Sequence, residues 1–379
     1  MKAKLLFAIG WIGCGGQGGA EPGSESGAPT LVLVDSVILS ETDTAFLGRV
    51  PHTYTVDTAG RIYVADRTTD RLLVFASDGG LLNVVGKHGG GPGEFQRIGS
   101  VTIPHDDLLL QGARGNRLSV FRGSDLTEVN RLSHAGYIAS WASSRQWLLL
   151  GLYNRADSTA VIAISWDSIR TAETGARLQP TLGALPALYQ TYRGLELFNG
   201  VVVGHRSDTL LLGFGAADYL VRIPLLGGQS DTVQVPRLSR RPINRQVLAK
   251  FTNPALSFHD GITAMPDLSG IWTRADGHVV LWFQEGSTED ATKGNAEIIG
   301  HAQIAVLSAD FRRACVDARI DAPGTQRTRL AFARDMLYSL DQVIDTADTE
   351  RPSVQTVVRR YTISLDRCEW LPTSGRPAY

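Results

Sequence analysis

Residues 60–95 read GRIYVADRTTDRLLVFASDGGLLNVVGKHGGGPGEF, and the order of apolar runs and turn residues in this stretch decides the fold. Arg61 to Ala65 and Arg71 to Ala76 are short runs rich in Val, Ile, Tyr and Phe, separated by the polar turn Asp66 to Asp70. The pair Asp78-Gly79 supplies a tight turn, and Leu81 to Val85 forms a third run. Upstream, the alternating HTYTVD of His52 to Asp57 predicts a further strand, the innermost of the set. Downstream, the glycines between Gly86 and Gly93, with Pro92 among them, predict a sharp return of the chain: glycine supplies positive φ and proline stiffens the path.

The same plan recurs. Asp107 to Phe121, DLLLQGARGNRLSVF, lies over Arg61 to Phe75 without a gap, so that Arg117, Leu118, Val120 and Phe121 fall on Arg71, Leu72, Val74 and Phe75. Repetition at a spacing of ~40–50 residues, in units that bury their faces only against their neighbours, predicts an all-β propeller of four-stranded blades. Three further blades are predicted from Tyr137–Trp141, Gln146–Leu152 and Thr159–Ser165, from Val201–His205, Thr209–Phe214, Tyr219–Leu225 and Asp231–Val235, and from Ile262–Met265, His278–Gln284, Gln303–Ser308 and Ala314–Ile320. Arg329–Ala333, Met336–Leu340 and Val357–Leu365 supply the sixth, with Leu31–Leu39 left over to join it and close the ring. The count is about six blades. Asp167–Arg193, Pro236–Pro254 and Glu285–Gly300 interrupt the rhythm as long connections, the second with a short predicted helix at Asn244–Phe251.

Four motifs resemble the NHL repeat: Ile62-Tyr63-Val64-Ala65-Asp66, Arg71-Leu72-Leu73-Val74-Phe75, Asp78-Gly79 and Gly89-Gly90-Gly91-Pro92-Gly93-Glu94-Phe95. The resemblance is strong over Gly60 to Phe121 and implies an NHL-like propeller. The body as a whole is similar to a family of bacterial six-bladed propeller lipoproteins.

At the N-terminus, Lys2 and Lys4 precede a short apolar stretch, Leu5 to Gly13, and then Cys14. This is an export signal by its charge and apolar order, and the stretch is too short for a membrane span, which needs ~20 residues. It resembles a bacterial lipoprotein signal, which implies a lipid on Cys14 and, with Gly15 after it, sorting to an outer membrane. Trp11 departs from that pattern, and an ordinary cleaved signal or an unstructured terminus are the other readings. The domain plan is thus a signal over 1–14, a tether over 15–29, the propeller over 30–372 and a C-terminal tail over 373–379.

The remaining composition excludes more than it selects. The chain of 379 residues carries 43% hydrophobic and 20% charged residues and a formal net charge of −1, which disfavours a general nucleic-acid partner. The two body cysteines, Cys315 and Cys368, are either a disulfide of an oxidising compartment or two buried thiols, and their spacing is not that of a zinc site. No Walker loop, dinucleotide fingerprint, GxSxG elbow, HExxH helix or EF-hand loop occurs.

The NHL resemblance brings in enzymes that hold a metal near the propeller axis, such as the amidating lyase. His52, at an inner strand, and the neighbours His259 and Asp260 are the residues placed to hold zinc or calcium at one mouth of the channel. Turn geometry is the ordinary reading of all three, and no cofactor is expected under it. Arg237, Arg240, Arg241 and Arg245 form a basic cluster able to meet an acidic partner, or else a solvated loop. Two functions follow: a non-catalytic binding or scaffold module for a protein or carbohydrate ligand, held at a membrane by its lipid, or a metal-dependent hydrolase or lyase using the axial channel.

Overall fold

A computed structural model describes residues 27–42, 47, 53–91, 93–95, 98–105, 108–113, 117–122, 125–134, 137–144, 146–153, 159–178, 182–186, 189, 201–215, 217–236, 249, 267–287, 299–321, 329–345 and 353–377. Six antiparallel sheets follow one another along the chain. After β1 (Thr30–Ile38), blade 1 comprises β2 (Thr53–Val56), β3 (Ile62–Asp66), β4 (Arg71–Phe75) and β5 (Leu81–Val85). Blade 2 comprises β6 (Ile98–His105), β7 (Leu108–Ala113), β8 (Arg117–Arg122) and β9 (Glu128–His134). Blade 3 holds β10 (Tyr137–Ser143), β11 (Trp147–Tyr153), β12 (Thr159–Ser165) and its outer strand β14 (Leu182–Ala184); between β12 and β14 the chain forms α1 (Trp166–Thr171) and then β13 (Arg177–Leu178), which joins the sheet of blade 2. Blade 4 is β15 (Val201–Arg206), β16 (Thr209–Phe214), β17 (Tyr219–Pro224) and β18 (Asp231–Gln234). Blade 5 is β19 (Asp267–Thr273), β20 (Val279–Ser287), β21 (Ile299–Leu307) and β22 (Arg313–Asp321). Blade 6 is β23 (Arg329–Ala333), β24 (Met336–Asp345) and β25 (Ser353–Ser364), completed by β1 in the order β1-β25-β24-β23. Closure of the ring by the N-terminal strand is as expected, and so is the count of six.

The blade strands are continuous apolar runs because both faces of each sheet are buried. In blade 1, Ile62, Val64, Leu73 and Phe75 pack with Ala331, Tyr338, Leu340 and Val358 of blade 6. Their neighbours Tyr63, Ala65, Leu72 and Val74 pack with Phe95 of the return loop and with Ile98, Val101 and Phe121 of blade 2. The alternation of the strand thus divides one sequence run between two blade junctions. Each of the other four junctions has its own apolar cluster: blades 2 and 3, 3 and 4, 4 and 5, and 5 and 6. Hydroxyls on the inner strands tie neighbouring blades together: Thr53 Oγ1 donates to Gly99 O at 2.7 Å, Ser140 Oγ to Val201 O at 2.7 Å, and Tyr54 Oη to Tyr338 O at 2.6 Å.

The chain's end also belongs to the ring. After β25, Cys368 forms a disulfide with Cys315 (Cα–Cα 5.6 Å). Then β26 (Leu371–Pro372) adds to β22, and β27 (Gly375–Pro377), within the 373–379 tail, adds to β18.

Three expectations change, and a fourth lies almost wholly outside the described residues. The inner strand of blade 5 is Asp267–Thr273, and Ile262–Met265 lie outside the described residues. Within Asp167–Arg193, expected to be irregular, α1 is started by Ser165, whose hydroxyl accepts the Ser168 N–H, and β13 runs parallel to β9 as a fifth strand on blade 2. The stretch from Glu285 is in part strand, with Glu285, Gly286 and Ser287 paired to His301, Gly300 and Ile299. The helix expected at Asn244–Phe251 falls outside the described residues except for Ala249, which is helical.

The Asp78-Gly79 turn does more than reverse the chain. Gly79 sits at φ +90°, and a Cβ there would lie 2.2 Å from Ile38 O and 2.7 Å from Val37 Cγ1 of the closing strand. Gly79→Ala is therefore expected to cost roughly 2 kcal/mol or more, since it adds a backbone clash to the cost of positive φ. Gly227, at φ +96° with nothing within 4 Å, isolates the conformational part, and Gly227→Ala should cost about 1 kcal/mol. Denaturation midpoints of the two variants check the difference, and equal shifts would remove the steric account.

Candidate functional site

Each inner strand (β2, β6, β10, β15, β19 and β23) begins at the same rim of the ring, because every blade is an up-and-down meander. The segments joining successive blades therefore start and finish at that rim. They span 39–52 between β1 and β2, 86–97 between β5 and β6, only 135–136 between β9 and β10, 185–200 between β14 and β15, 235–266 between β18 and β19, and 322–328 between β22 and β23. The opposite rim carries the inner hairpin turns, which are short: 57–61, 106–107, 144–146, 207–208, 274–278 and 334–335.

Asp57 ties the first of these turns. It is 6% exposed and accepts the backbone N–H groups of Ala59 and Arg61 and the Arg61 Nε–H. Next to it, burial foremost and the Asp57 charge second push the Tyr63 hydroxyl up to about 12. Farther round, Arg206 donates to Ala309 O, and Arg274 Nη1 donates to Ile363 O at 2.9 Å, each crossing to the next blade. On this rim His205 is held below its ordinary range by burial, which favours neutral imidazole.

The first rim is described most fully at blade 1. Asp70 closes the β3–β4 turn at φ +52°, is 6% exposed, and divides its carboxylate between two elements. One oxygen accepts the Ile98 N–H at 2.8 Å, where β6 starts, and the other lies 2.7 Å from His88 Nδ1 on the return loop. Asp66 caps the same turn through the Thr68 N–H and the Thr69 hydroxyl, and Arg67 Nε reaches Ile98 O at 3.1 Å.

The return loop itself is held by two glutamates. Glu94 accepts the Gly91 N–H at 2.8 Å and pairs with Lys87 at 3.3 Å; that amide first and Lys87 next hold its carboxyl below the ordinary range. Glu128, on β9, accepts the Gly93 N–H at 2.9 Å and pairs with Arg131, which donates to Gly91 O at 2.9 Å. Burial pushes Glu128 up, but Arg131 and the Gly93 amide outweigh it and the net shift is downward. Gly86 carries φ +84°, and a Cβ there would meet the Phe95 ring at 2.2 Å, so the GGGPGEF return closes on its own aromatic.

A carboxyl depressed in the fold adds stability above its unfolded value, which is lost as pH falls through the folded one. Acidification below the ordinary glutamate range, about 4.3, should therefore loosen the 86–95 loop while the blade cores hold. Amide exchange at Gly91 and Gly93 checks this, and protection unchanged by pH would contradict it. Glu128→Gln should weaken the same two amides at neutral pH.

The described carboxylates of this rim are thus engaged by backbone donors, and the imidazole of His88, whose side chain is 76% exposed, is oriented by Asp70. Among the described residues no group of three or more His, Cys, Asp or Glu gathers as a metal site. His52, His259, Asp260, Arg237, Arg240, Arg241, Arg245 and Cys14 lie outside the described residues. Asp57 and Asp66 serve turn geometry as expected, and Tyr63 and Trp282 are buried between blades at 2% and 5% exposure. The Asp70–His88 pair was not foreseen: its members are 18 apart in sequence and meet only because a hairpin tip touches the return loop.

Comparison with known proteins bears on the architecture. Residues 31–118 match the family DUF5128, described as a 6-bladed beta-propeller. No curated protein matches the chain. A solved structure of a DUF4221 family member from Bacteroides vulgatus is similar with a TM-score of 0.58 at 11% identity, covering 90% of this chain and 99% of that one. A Bacteroides fragilis protein with an exported-protein assignment is similar with a TM-score of 0.54 at 10% identity, covering 91% and 98%. At such identities the likeness is one of fold. The six sheets, the closing strand and these likenesses agree: the chain is a six-bladed β-propeller, similar over residues 31–118 to DUF5128.

Proposed function

We propose that the chain is exported, held at a membrane by a lipid on Cys14, and works as a non-catalytic binding module that meets a protein or glycan ligand at the rim where the inner strands begin. The observation that carries the reading is the asymmetry of the ring. The connections 185–200, 235–266 and 322–328 all join blades at this rim, whereas the inner hairpin turns of the other rim are short and tied by Asp57, Arg206 and Arg274, and its long exception, 166–181, is ordered by α1. Variable connections on a rigid scaffold are the usual place for ligand contacts. The Cys315–Cys368 disulfide supports export, since such bonds persist in oxidising compartments. The assignment of the Bacteroides fragilis relative as exported points the same way.

Labelled palmitate should enter the unsubstituted chain and be lost in Cys14→Ser; equal labelling of the two overturns the anchor. For the binding module, protein purified without a tag should hold no stoichiometric metal and keep its fold. Stoichiometric zinc or calcium, lost on replacing His52, His259 and Asp260, would establish the hydrolase or lyase reading instead. A glycan array then separates the ligand classes: specific binding assigns a carbohydrate, and a blank array leaves the protein ligand.

A further inference from the structure

Among the described residues three outer strands end their sheets uncovered, the short β5 (Leu81–Val85) and β14 (Leu182–Ala184) and the longer β1. The outer strands of blades 2, 4 and 5 are each covered by a further strand, β13, β27 and β26. β1 ends its sheet, and among the described residues no strand pairs with its outer edge. It shares with β22 the greatest length among the outer strands, nine residues, and is apolar on both faces, with Val32 47%, Leu33 53%, Val34 53% and Ile38 55% exposed. Val354, 57% exposed on β25, continues the surface beyond Ile38. Edge strands of soluble proteins are normally blunted by lysine, proline, an inward charge or a covering element. β1 contains no Lys and no Pro, and its single charge, Asp35, is paired within the chain with Arg360; the strand's one blunting feature is the bulge between Leu33 and Asp35, after which the pairing with β25 resumes as far as Ile38.

We propose that β1 is a self-pairing edge through which two copies of the chain associate, their β1 strands antiparallel and their sixth blades fused into one sheet. An open row of backbone donors and acceptors calls for another strand, whereas lipid would leave those groups unsatisfied. The sequence TLVLVDSVI suits a copy of itself. With the two-fold axis at Leu33, Val32 of each copy faces Val34 of the other, Thr30 faces Ser36, and Asp35 faces Leu31 rather than another acid. Because the contact uses the same patch on both copies, it closes at two and does not propagate into fibres. The inference stands apart from the ligand-binding rim and from the lipid anchor.

The test uses the full chain carrying Cys14→Ser, so that no lipid drives association. Sedimentation at about 10 μM, a concentration that reports micromolar pairing, should give the mass of two chains. Val32→Lys with Val34→Lys should weaken self-association at least about tenfold while leaving the thermal midpoint nearly unchanged, because both positions are about half exposed. Leu33→Cys should yield an intermolecular disulfide, and Leu226→Cys, 71% exposed after β17, should not. A single-chain mass for the Cys14→Ser protein overturns the proposal, as does a dimer indifferent to the lysine pair. Flotation of a monomer with phosphatidylethanolamine–phosphatidylglycerol vesicles, abolished by the lysine pair, would overturn it in favour of a lipid surface.

Discussion

A chain that begins at Leu39, and so lacks β1, is expected to lose its single cooperative unfolding transition or to melt about 10 °C or more below the full chain. β1 holds blade 6 along its length, from Thr30 opposite Ser364 to Ile38 opposite Val357. Beneath it lie Val358 and Ile363, 1% and 4% exposed, which belong to the two apolar clusters on either side of the blade. Leu31 packs against the second of these, and Leu39, 3% exposed, sits in the first. Removing the strand therefore wets both flanks of blade 6 and opens β25 as a new apolar edge. Each apolar side chain so exposed costs about 1.5–3 kcal/mol, against a total stability of only about 5–15 kcal/mol. A peptide of residues 28–42 should restore stability in trans, by about 2.7 kcal/mol at a hundred times its dissociation constant. Scanning calorimetry of the shortened chain with increasing peptide makes the measurement. An unchanged melting temperature without peptide would show that the ring is held by its inner junctions alone.

The parts of this fold that were legible are those in which one run of residues serves two junctions. Ile62 to Asp66 and Arg71 to Phe75 are buried on both faces, so their apolar character is unbroken and their repeat at Leu108–Ala113 and Arg117–Arg122 stands out. Asp267–Thr273 was hidden for the opposite reason. Asp267, Ser269 and Gly270 have the composition of a turn, yet the strand runs through them with a bulge between Leu268 and Gly270. Glycine is required there because a Cβ on Gly270 would lie 2.9 Å from the Trp272 ring, which stacks with Trp282 and with Phe332 of the next blade. The helix α1 was overlooked although Ser165 and Ser168 form its cap, since six residues are too few for a clear helical period. The Asp70–His88 pair was beyond reach, because nothing local in the sequence records which hairpin tip a return loop will touch. The rim where the inner strands begin is harder still: its connecting segments obey no strand period, so composition singled out Arg237, Arg240, Arg241 and Arg245 without a geometry to hold them.

Breaking the Cys315–Cys368 bond should release the C-terminal strap before it disturbs the blades. Cys315 is fully buried on β22, and the bond closes a span of 53 residues. For a loop of that size the chain-entropy argument gives about 4 kcal/mol, and measured bonds fall at about 2–4 kcal/mol. What the bond secures is a path across three blades. Cys368 bridges Gly27, and Glu369 N–H donates to Gly27 O at 2.7 Å, so the entering chain is gripped beside the disulfide. Thr373 then binds Arg312 O and Phe311 O, and Ser374 O accepts the Gln234 N–H at 2.7 Å before β27 joins β18. Downstream of the disulfide these contacts are few and lie at outer edges, where local opening costs least. Cys315→Ala with Cys368→Ala should therefore lower the denaturation midpoint by the equivalent of about 2–4 kcal/mol. The amides of Gly375 and Arg376 should exchange faster by a larger factor than those of Val64 or Leu211, deep in the blades. A uniform loss of protection would mean that the bond stabilises the ring as one unit, and no loss at all would mean that β26 and β27 hold the strap by themselves. The order of opening separates the two roles because only a strap pinned at Cys368 can detach while Leu72 and Leu73, fully buried in blade 1, remain in place.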